Sequence, residues 1–588
     1  MDRRGRGLRV AGRPAGWCYS LLLRSVYSPS CMKKNIDSSA DIFPFTNGYI
    51  RPRPDHILTP RRHGMVLFEP PAATLAAALA AQPVPAATPL TSSDFRRQAR
   101  EDLLSSIQEH ALAIGIAGPT ADILTRPWVI TGHQVEFYHA GVWAKVIAAD
   151  HLAQMANAVA IDLLVDHDVL SHLGLEVPMM ESGHLARQRI TWDEHAPSVA
   201  AEFITAPPPL KRQRWIDAIN STSLLKSDAW KDFASRLYAG RVGDYVTWLS
   251  QARFGFEASL GLKVWHAPCS RLCQKPAWLG FVTAWISQAE AWTAQYNAAL
   301  HRYRVAKHIR NTAQPMPDLV LSAQTLELPF WIYGPGQPRS RLIISRGPVP
   351  SLMTPAGPIA LPVMCDADCY QQGQALSQLL ARHNLAIRPR ALTLTMFARL
   401  ALANVFIHGI GGAIYDQITD HLMESFFGIV SPYGCVSAGW LLDLPGRDES
   451  PVSIADLRWQ HHHLRHNPQL ALPREYEADP AVRGLLHARL ENIRMIRDSL
   501  QADRRVGRGC RDGSAARRNW FRQLHQINEQ LLIRTQLVLN QIDQQLACLH
   551  LHAVEITAAK WREYFFALHT LDSLHALINA IRKNPTTP

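Results

Sequence analysis

The chain has 588 residues, 47% of them hydrophobic and 19% charged, which is typical of a folded globular protein and predicts roughly two to four structural units. Its apolar runs stop well short of the roughly 20 residues that a membrane-spanning helix needs, and its nine cysteines are too few for a disulfide framework, so we expect a cytoplasmic protein with no membrane partner. The net charge of +12 is partly concentrated in an Arg-rich stretch and otherwise spread thinly, which predicts no nucleic-acid groove.

The first 117 residues are predicted to contribute little to the core. Residues 1–31 are Arg-rich, and because the sequence restarts at Met32 we interpret them as a disordered leader or an over-extended start, with a targeting segment as the alternative. Residues 32–117 are predicted to form an N-terminal wrapping segment, since prolines block long helices in its first half. An amphipathic helix at residues 93–114 ends this segment, and the Ser-Ser-Asp run at its start favours a helix cap.

Residues 118–455 are predicted to form a Rossmann-like α/β core with a parallel sheet, and its first elements are the clearest. An apolar strand at residues 127–131 precedes a helix at residues 141–156, and a second apolar strand follows at residues 159–165. Strand, helix and strand in so short a segment form a βαβ unit, which places the two strands parallel and side by side in one sheet.

A polar cluster follows each of these strands. The cluster residues are His133, Gln134, Asp166, His167 and Asp168, the first two in a predicted sharp turn. Because open α/β sheets bind ligands where the carboxyl ends of their strands meet, we predict one catalytic site there. The histidine of the turn is a candidate for proton transfer, and the carboxylates are candidates for binding an ammonium group or Mg2+. A helix-capping histidine and a loop network that only satisfies backbone donors are the alternatives.

Residues 207–305 interrupt this pattern and are predicted to be a mostly helical insertion. The tryptophans of this segment are Trp215, Trp230, Trp248, Trp265, Trp278, Trp285 and Trp292. We interpret them as packing anchors rather than as a platform for stacking bases, because aromatic rings chiefly supply buried area. Strands are predicted again at residues 319–321 and 342–345, with a Gly-Pro-Gly turn between them.

A strand at residues 404–407 leads into a glycine run and a helix at residues 413–426. Glycines before a helix let backbone amides approach an anion, and the helix dipole favours negative charge there, so we predict a phosphate or carboxylate site. The residues assigned to cofactor binding are Thr131, Gly132, His408, Gly409, Gly411 and Gly412. Arg388 and Arg390, upstream of this strand, are candidates for binding a substrate carboxylate through their forked donors.

Residues 456–588 are predicted to be helical. Helices are expected at residues 485–500, 520–550 and 558–581, and a polar tip at residues 506–516 separates the first two. Apolar residues of the middle helix recur at a spacing near 3.5, which indicates an antiparallel coiled-coil arm and a homodimer formed through it. A helix that packs on the chain's own core is the alternative.

No bound metal is predicted. Three groups of residues are considered as metal ligands or nucleophiles and set aside: the pairs Cys269/Cys273 and Cys365/Cys369, the histidines His461, His462, His463 and His466, and the single Cys435. The cysteine pairs lack the spacings common in structural zinc sites, and the histidines are typical of a solvated helix face. Nothing in the sequence around the single cysteine predicts an activated thiolate.

The polar clusters and the glycine run resemble motifs of the cysteine-adding enzymes of bacillithiol biosynthesis, the BshC family. In that family a strand ends in Thr-Gly-Gln-Gln, which differs by one residue from Thr-Gly-His-Gln at residues 131–134, and the next strand ends in Asp-His-Asp, as at residues 166–168. A later loop of the family reads Val-Gly-Gly-Pro-Gly-Glu-Ile-Ala-Tyr, and residues 407–415 are similar to it. The resemblance extends in architecture over roughly residues 60–580.

The resemblance implies a Rossmann-like core with helical insertions, a C-terminal coiled coil, and a ligase that adds cysteine or another amino acid to a small sugar-acid acceptor such as glucosaminyl malate. It also implies a nucleotide site, with ATP or ADP and Mg2+ as the expected cofactors. In this hypothesis His133 and Gln134 contact the nucleotide or the activated group, and Asp166 and Asp168 hold the incoming ammonium group. A non-catalytic dimeric scaffold that binds a nucleotide or a metabolite is the alternative.

Overall fold

The computed structural model describes residues 49–80, 88–194, 198–222, 224, 227–241, 243–346, 350–354, 356–362, 368–390, 392–448, 461–476, 478–505 and 515–583. These residues form two compact units. The first comprises the described residues up to 177, residues 187–442 and those from 561 onward, and the second comprises residues 178–186 and 443–560. The predicted leader lies outside the described residues. No helix among the described residues is long and apolar enough to cross a membrane.

The strands belong to three sheets. In chain order they are β1 (Met65–Glu69), β2 (Trp128–Gln134), β3 (Val159–Val165), β4 (Leu173–Glu181), β5 (His184–Asp193), β6 (Val264–Pro268), β7 (Thr325–Tyr333), β8 (Ser340–Ser345), β9 (Ser351–Thr354), β10 (Gly357–Ala360), β11 (Ala386–Pro389), β12 (Val405–His408) and β13 (Tyr433–Gly439). The first sheet has the order β1-β13-β12-β2-β3-β6, the second has the order β10-β9-β8-β7-β11, and β4 pairs with β5.

The α-helices lie before, between and after these strands. In chain order they are α1 (Ala72–Ala80), α2 (Ser93–Ile114), α3 (Ala140–Met155), α4 (Pro209–Asn220), α5 (Asp228–Ala239), α6 (Tyr245–Ser259), α7 (Cys269–Leu272), α8 (Pro276–Ser287), α9 (Ala289–Ala306), α10 (Cys369–Arg382), α11 (Thr393–Phe397), α12 (Ile410–Phe427), α13 (Pro480–Arg505), α14 (Ala515–Ala559) and α15 (Leu571–Lys583). A short π-helical turn, Ala398–Leu402, follows α11.

The first sheet is parallel except for its edge strand. β2, β3, β6, β12 and β13 run parallel to one another, whereas β1 is antiparallel to β13. The chain adds strands outward from β2, first through β3 to β6 and then, on the other side, through β12 to β13. The direction of addition therefore reverses between β2 and β12. The predicted βαβ unit is confirmed as β2, α3 and β3.

Apolar sequence and capped helix ends explain these elements. β3 is almost wholly apolar and buried, as is typical of a parallel strand covered on both faces. The helix predicted at residues 93–114 is α2, and its cap is confirmed, since the Ser92 hydroxyl accepts a hydrogen bond from the Phe95 amide at 3.2 Å. The helix ends at Gly115, whose φ of 85° lies in the left-handed region that favours glycine.

Two features of the first sheet differ from the sequence prediction. Gly132, His133 and Gln134 do not form a turn, because they continue β2 and pair with residues 163–165 of β3. The insertion predicted at residues 207–305 is helical for most of its length but contains β6, which is a strand of the sheet itself. At both places, pairing with an existing strand overrides the local sequence preference.

The second sheet is antiparallel throughout. The strand predicted at residues 342–345 is part of β8, but the one predicted at residues 319–321 is wrong, because Leu321 forms only an isolated bridge with Leu326. Six of the seven tryptophans predicted to be packing anchors are buried, and Trp265 is half-buried, so their packing role is confirmed.

Two long helices dominate the second unit. α13 and α14 run antiparallel, because Arg489 donates to Asn528 at 2.9 Å and Arg517 donates to Ser499 at 3.0 Å. α14 buries side chains at spacings of three and four residues, among them Leu531, Thr535, Leu539 and Ile542. This pairing agrees with the predicted antiparallel arm, whereas its supercoiling and its role in dimerisation stay predictions. The predicted tip lies largely outside the described residues.

The last predicted helix, at residues 558–581, is wrong in its first half. α14 continues to Ala559, and α15 begins only at Leu571. Before α15, the Phe566 amide donates to the carbonyl oxygen of Tyr138 at 3.1 Å. A backbone amide bonded to a distant segment is not available for a helix, so the chain is irregular there despite its apolar pattern.

Candidate functional site

The two predicted polar clusters meet at the carboxyl edge of the first sheet. Nε2 of Gln134, the last residue of β2, donates a hydrogen bond to Oδ2 of Asp168 at 3.2 Å. Both side chains are half-buried, so each keeps some access to solvent. Thr131, earlier in β2, is buried and donates to the carbonyl oxygen of Ile407 at 2.8 Å. Its hydroxyl therefore links β2 to β12 and is already occupied by this hydrogen bond. Of the other residues predicted to bind a cofactor, Gly132 lies next to it in β2.

His133 is half-buried near the end of β2. Its Nδ1 lies 3.3 Å from the carbonyl oxygen of Gln134, and Nε2 has no hydrogen-bond partner among the described residues. Burial, followed by the charge of Lys145, lowers the pKa of His133 well below its ordinary value, so the imidazole is neutral at pH 7. The helix-capping alternative is met by a different residue, because Nδ1 of His139 accepts the Gly141 amide at 3.0 Å at the start of α3.

Asp166 is the deepest of the predicted carboxylates. It accepts hydrogen bonds from the Ser270 amide at 2.8 Å and from the Ser270 hydroxyl at 2.5 Å. The Glu202 amide donates to its backbone oxygen at 2.8 Å. Burial and the nearby negative charge of Glu202 raise the pKa of Asp166 to about 7. The loop-network alternative thus describes Asp166 well, since both of its carboxylate oxygens are bonded within the protein.

Asp168 is more open and more strongly charged than Asp166. Nη1 of Arg339 donates to its Oδ1 at 2.5 Å, in addition to the bond from Gln134. Burial acts to raise the pKa of Asp168, but His167, Arg339 and Gln134 stabilise the carboxylate and lower the pKa overall. His167 itself is buried, its pKa is lowered to about 4 by burial, and its Nδ1 has no hydrogen-bond partner among the residues that the structure describes.

The two arginines predicted to bind a carboxylate already face carboxylates of the protein. Arg388 is buried and donates through Nε and Nη2 to Glu202 at 3.1 and 2.8 Å. Arg390 donates to Glu327 at 2.5 Å, and its guanidinium lies 4.7 Å from the centre of the Trp331 ring. Of the guanidinium donors that could bind a substrate carboxylate, Nη1 of Arg388 is buried and has no hydrogen-bond partner in the described part of the chain.

The predicted glycine run forms the start of α12. Gly409 is the N-cap residue and makes no side-chain cap, whereas Gly411 and Gly412 lie in the first helical turn rather than before it. The amides of residues 410–412 have no hydrogen-bond partner among the described residues. A Cβ atom on Gly411 would meet nothing within 4 Å, so the space above the first turn is open. Free amides at a helix N-terminus favour an anion.

His408 is buried beneath the glycines at the start of α12 and contacts other residues of the protein. Its Nε2 lies 2.8 Å from Oδ2 of Asp416, and both side chains are buried. Asp416 also accepts a hydrogen bond from Arg399 at 2.6 Å. A Cβ atom on Gly412 would lie 2.6 Å from Nδ1 of His408, so this ring position requires a glycine above it. The cofactor-binding role predicted for His408 is therefore replaced by a supporting one.

A lysine that the sequence analysis did not single out lies between β2 and the glycine run. Nζ of Lys145 donates to the carbonyl oxygen of Gly132 at 2.7 Å, and its Cδ lies 3.7 Å from where a Cβ atom of Gly409 would be. Burial lowers the pKa of Lys145 to about 8, with Asp162 opposing the effect. The signal in the sequence was a lysine among apolar residues on the buried face of α3.

Other side chains of the edge also escaped sequence reasoning. They are Glu136, Glu202, Ser270, Tyr333 and Arg339. Tyr333 donates to Glu202 at 2.8 Å, and with Arg339 it flanks the Gly-Pro-Gly turn that the sequence analysis used only as punctuation. Glu136 follows β2, and its pKa is raised to about 7 by burial and by the charge of Asp168.

The surroundings of the residues considered as metal ligands or nucleophiles are known where these residues are described. The described residues contain no group of three or more His, Cys, Asp or Glu side chains that could hold a metal ion. Burial and the charge of Glu69 raise the pKa of Cys435 to about 12, which is opposite to what a nucleophile needs. His461 lies 3.2 Å from Asp543 on the helical arm, and Cys365 lies outside the described residues.

Comparisons of the chain with known proteins do not assign it to a family. No protein-family model matches it, and no curated protein matches its sequence. The function must therefore be argued from the chemistry of the sheet edge.

Proposed function

We propose that this protein is a ligase that adds cysteine, or another amino acid, to a small sugar-acid acceptor such as glucosaminyl malate. The observation that carries the proposal is the arrangement of one sheet edge. It has a charged carboxylate, Asp168, at the end of β3 and an open helix N-terminus after β12. An amino acid offers an ammonium group to the first, and a phosphate or carboxylate fits the second. The motif resemblance to the cysteine-adding enzymes of bacillithiol biosynthesis supports the same reading.

We infer that the core is Rossmann-like. The order of its parallel strands, outward from β2 on one side and then on the other, is that of doubly wound nucleotide-binding sheets. In such sheets the ligand lies where the order reverses, which here is between β2 and β12. Gly132 of β2 and Gly409, the residue after β12, border this position.

The residues at the start of α12 fit a nucleotide phosphate, because they offer free amides and open space. When bound, ATP would supply the group that activates a carboxyl group for amide formation. The side chains of the edge would bind and orient the amino acid. Asp168 stays charged and would hold the ammonium group together with Glu136, which follows the neighbouring strand, whereas Asp166 is occupied by Ser270. Mg2+ would depend on the phosphates for most of its ligands.

We assign His133 as the group that accepts a proton during amide formation, because its Nε2 has no hydrogen-bond partner among the described residues. Its imidazole is neutral at pH 7, but burial and the charge of Lys145 make it a weak base, so a bound anion that offsets Lys145 would bring its pKa closer to the working pH. A positioned base of this kind contributes about 10²–10⁴-fold to a rate. The substrate amine would have to lie within hydrogen-bond reach of Nε2.

We test the proposal by incubating the full chain with ATP, Mg2+, cysteine and glucosaminyl malate, beside pools of other amino acids and sugar acids, and analysing the products by mass spectrometry. We expect a condensation product whose rate falls at least 100-fold in His133→Ala, because the proton acceptor is lost. His301→Ala, an exposed histidine of α9, is the matched control and should keep full activity. Since His133 is half-buried and makes only one long hydrogen bond and a ring contact with Tyr138 at 5.4 Å, its loss should change the unfolding midpoint little.

A non-catalytic scaffold predicts a different result. No product from any pool, with no stabilisation by ADP, would contradict the ligase. A nucleotide-binding protein gains about 2.7 kcal/mol of stability at a ligand concentration of a hundred times Kd. Stabilisation by ADP without any product would instead favour the metabolite-binding scaffold.

We also propose that the protein is a homodimer and that a second copy covers one face of α14. Two large apolar side chains one turn apart, Ile533 and Leu537, are 75% and 77% exposed. Leu551 extends the same face about four helical turns further on. An apolar stripe on a long helix that is already paired on its other side is typical of association through helices.

A further inference from the structure

Lys145 holds a buried charge that makes no direct ion pair with any described residue. The residue is only 5% exposed, and it forms no ion pair within the described part of the chain. Its ammonium group has three N–H donors, but the carbonyl oxygen of Gly132 is its one acceptor there. Buried charges in proteins are normally paired, so an unpaired ammonium at a sheet edge points to an anionic ligand.

The groups that face Lys145 come from every neighbouring element. They are His133 of β2, Asp162 of β3, Arg253 of α6, Cys435 of β13 and His139 before α3. Asp162 acts on Lys145 from a distance and raises its pKa, but its direct ion pair is with Arg253, which also lies 3.3 Å from Glu257. The pKa of each histidine is lowered and that of Cys435 is raised to about 12, so these three groups are uncharged near neutral pH. No carboxylate among these groups makes a direct ion pair with the ammonium.

A second positive group lies beside Lys145. The Lys145 side chain passes Gly409, the N-cap residue of α12, with 3.7 Å between its Cδ and the Cβ position of that glycine. The free amides of residues 410–412 form the positive end of the dipole of an 18-residue helix. The Lys145 side chain and the helix N-terminus both favour negative charge, so an anion bound between them would be stabilised by both.

We propose that Lys145 and the backbone amides of Ile410, Gly411 and Gly412 form one oxyanion-binding subsite. Its ligand is either a phosphate group of the nucleotide or a carboxylate of the sugar-acid acceptor, which share the same chemistry. The inference deepens the proposed function and rests on it for the identity of these two sources. In a purely structural role, by contrast, Lys145 would only hold the end of β2 through Gly132.

The test is isothermal titration calorimetry of the full chain with ADP and, separately, with malate at pH 7. We expect at least one of the two anions to bind, and Lys145→Met to weaken that binding at least tenfold. Lys145→Arg should restore part of the affinity, because it keeps the positive charge. Lys263→Met removes an exposed lysine and is the matched control. Binding of ADP alone assigns the subsite to phosphate, and binding of malate alone assigns it to the acceptor.

The pH dependence of anion binding by the wild-type protein provides a second test, which does not require any variant to fold. The ammonium of Lys145 is present below its pKa of about 8 and lost above it, so affinity for the anion should fall at least tenfold between pH 7 and pH 9.5. The two facing histidines have lowered pKa values, and Cys435 and Arg253 have raised ones, so these four groups do not change charge in this range. A phosphate has its second pKa near 6 and stays fully charged there.

Two results would overturn the inference. One is a wild-type protein that binds neither anion, and the other is binding that is the same in Lys145→Met and unchanged from pH 7 to pH 9.5. Product formation in the ligase screen together with either result would refute the subsite and leave the proposed function standing. Anion binding that depends on Lys145, without any product, would refute the ligase and leave the subsite.

Discussion

Asp166 and Asp168 are two positions apart in the chain, yet their surroundings move their pKa values in opposite directions. Asp166 is fully buried beside Glu202, and its pKa is raised to about 7. Asp168 is held by His167, Arg339 and Gln134, and its pKa is lowered. Near neutral pH, Asp168 is therefore the dependable negative charge of this edge, while Asp166 takes up a proton easily. Neighbouring carboxylates with separated pKa values are common at functional sites.

The raised pKa of Asp166 predicts how stability depends on pH. Because protonation is favoured more in the folded state than in the unfolded one, its contribution to stability is fully present below about pH 4 and is lost as the pH rises to about 7. Asp166→Asn, which is neutral at every pH, should not lose this contribution. We therefore expect its free energy of unfolding in urea, relative to the wild type, to rise by on the order of 2–4 kcal/mol between pH 4 and pH 7.

Asp168→Asn is the matched control for that experiment. Its folded-state pKa is lowered, so its contribution is present above the unfolded pKa and lost as the pH falls through the folded one. The Asn variant should therefore differ from the wild type mostly above pH 4, with the opposite sign of pH dependence. Parallel stability curves for the wild type and Asp166→Asn would show that Asp166 is charged throughout and would contradict the assignment.

The sequence predicted the polar side chains that directly follow the strands, but it did not predict the distant side chains that bond to them. His133, Gln134 and the Asp-His-Asp run were found because they directly follow apolar strands. Arg339 was not found, because it bonds to Asp168 across a sequence separation of 171 residues. Lys145 was visible only as a break in an apolar helix face, and its proposed role depends on Gly409, the N-cap residue of a helix much later in the chain.

The two glycines in the first turn of α12 are expected to contribute differently to the stability of the helix. Gly411 and Gly412 are adjacent in the helix, but a Cβ atom at the first meets nothing within 4 Å and one at the second lies 2.6 Å from the His408 ring. We expect Gly411→Ala to be neutral or to stabilise by about 0.5–1 kcal/mol, because alanine favours a helix. Gly412→Ala should destabilise by about 1–3 kcal/mol, because the His408–Asp416 pair must move.

Chemical denaturation of both variants tests this difference. If the two alanines change the free energy of unfolding equally, the ring of His408 is not fixed beneath the turn. Binding of ADP or malate adds a second comparison. A displaced first turn in Gly412→Ala would weaken an anion bound by its amides, whereas Gly411→Ala leaves the amides in place and should weaken it only if the new methyl group meets the ligand.

The elements that the sequence predicted correctly are those with strong local signals. β2, α3 and β3 have apolar periodicity and short connections. The serine that caps α2, Ser92, directly precedes the helix. β6 and the second sheet, apart from β8, were missed because pairing partners decide them, and many of those partners are distant in sequence. The helix predicted across residues 560–570 fails for the same reason, since the Phe566 amide bonds to Tyr138.

The exposed side of α14 carries a stripe of large apolar side chains. The buried side of this helix carries Leu531, Leu539 and Ile542, whereas Ile533 and Leu537 point away from them. Exposed apolar side chains that occur singly need no partner, but two side chains one turn apart on a paired helix form a stripe. The length of α14, 45 residues, allows a second copy to align along it.

The proposed homodimer predicts that this stripe controls the mass of the protein in solution. We expect the wild type to have twice the chain mass in size-exclusion chromatography with light scattering, and the double variant Ile533→Glu, Leu537→Glu to be a monomer, because a buried carboxylate pair would repel its copy. Its fold should survive, since both side chains are exposed within one chain. Gln545→Glu adds a charge on another exposed face and should remain dimeric. A monomeric wild type, or a double variant that still dimerises, would place the contact elsewhere or exclude it.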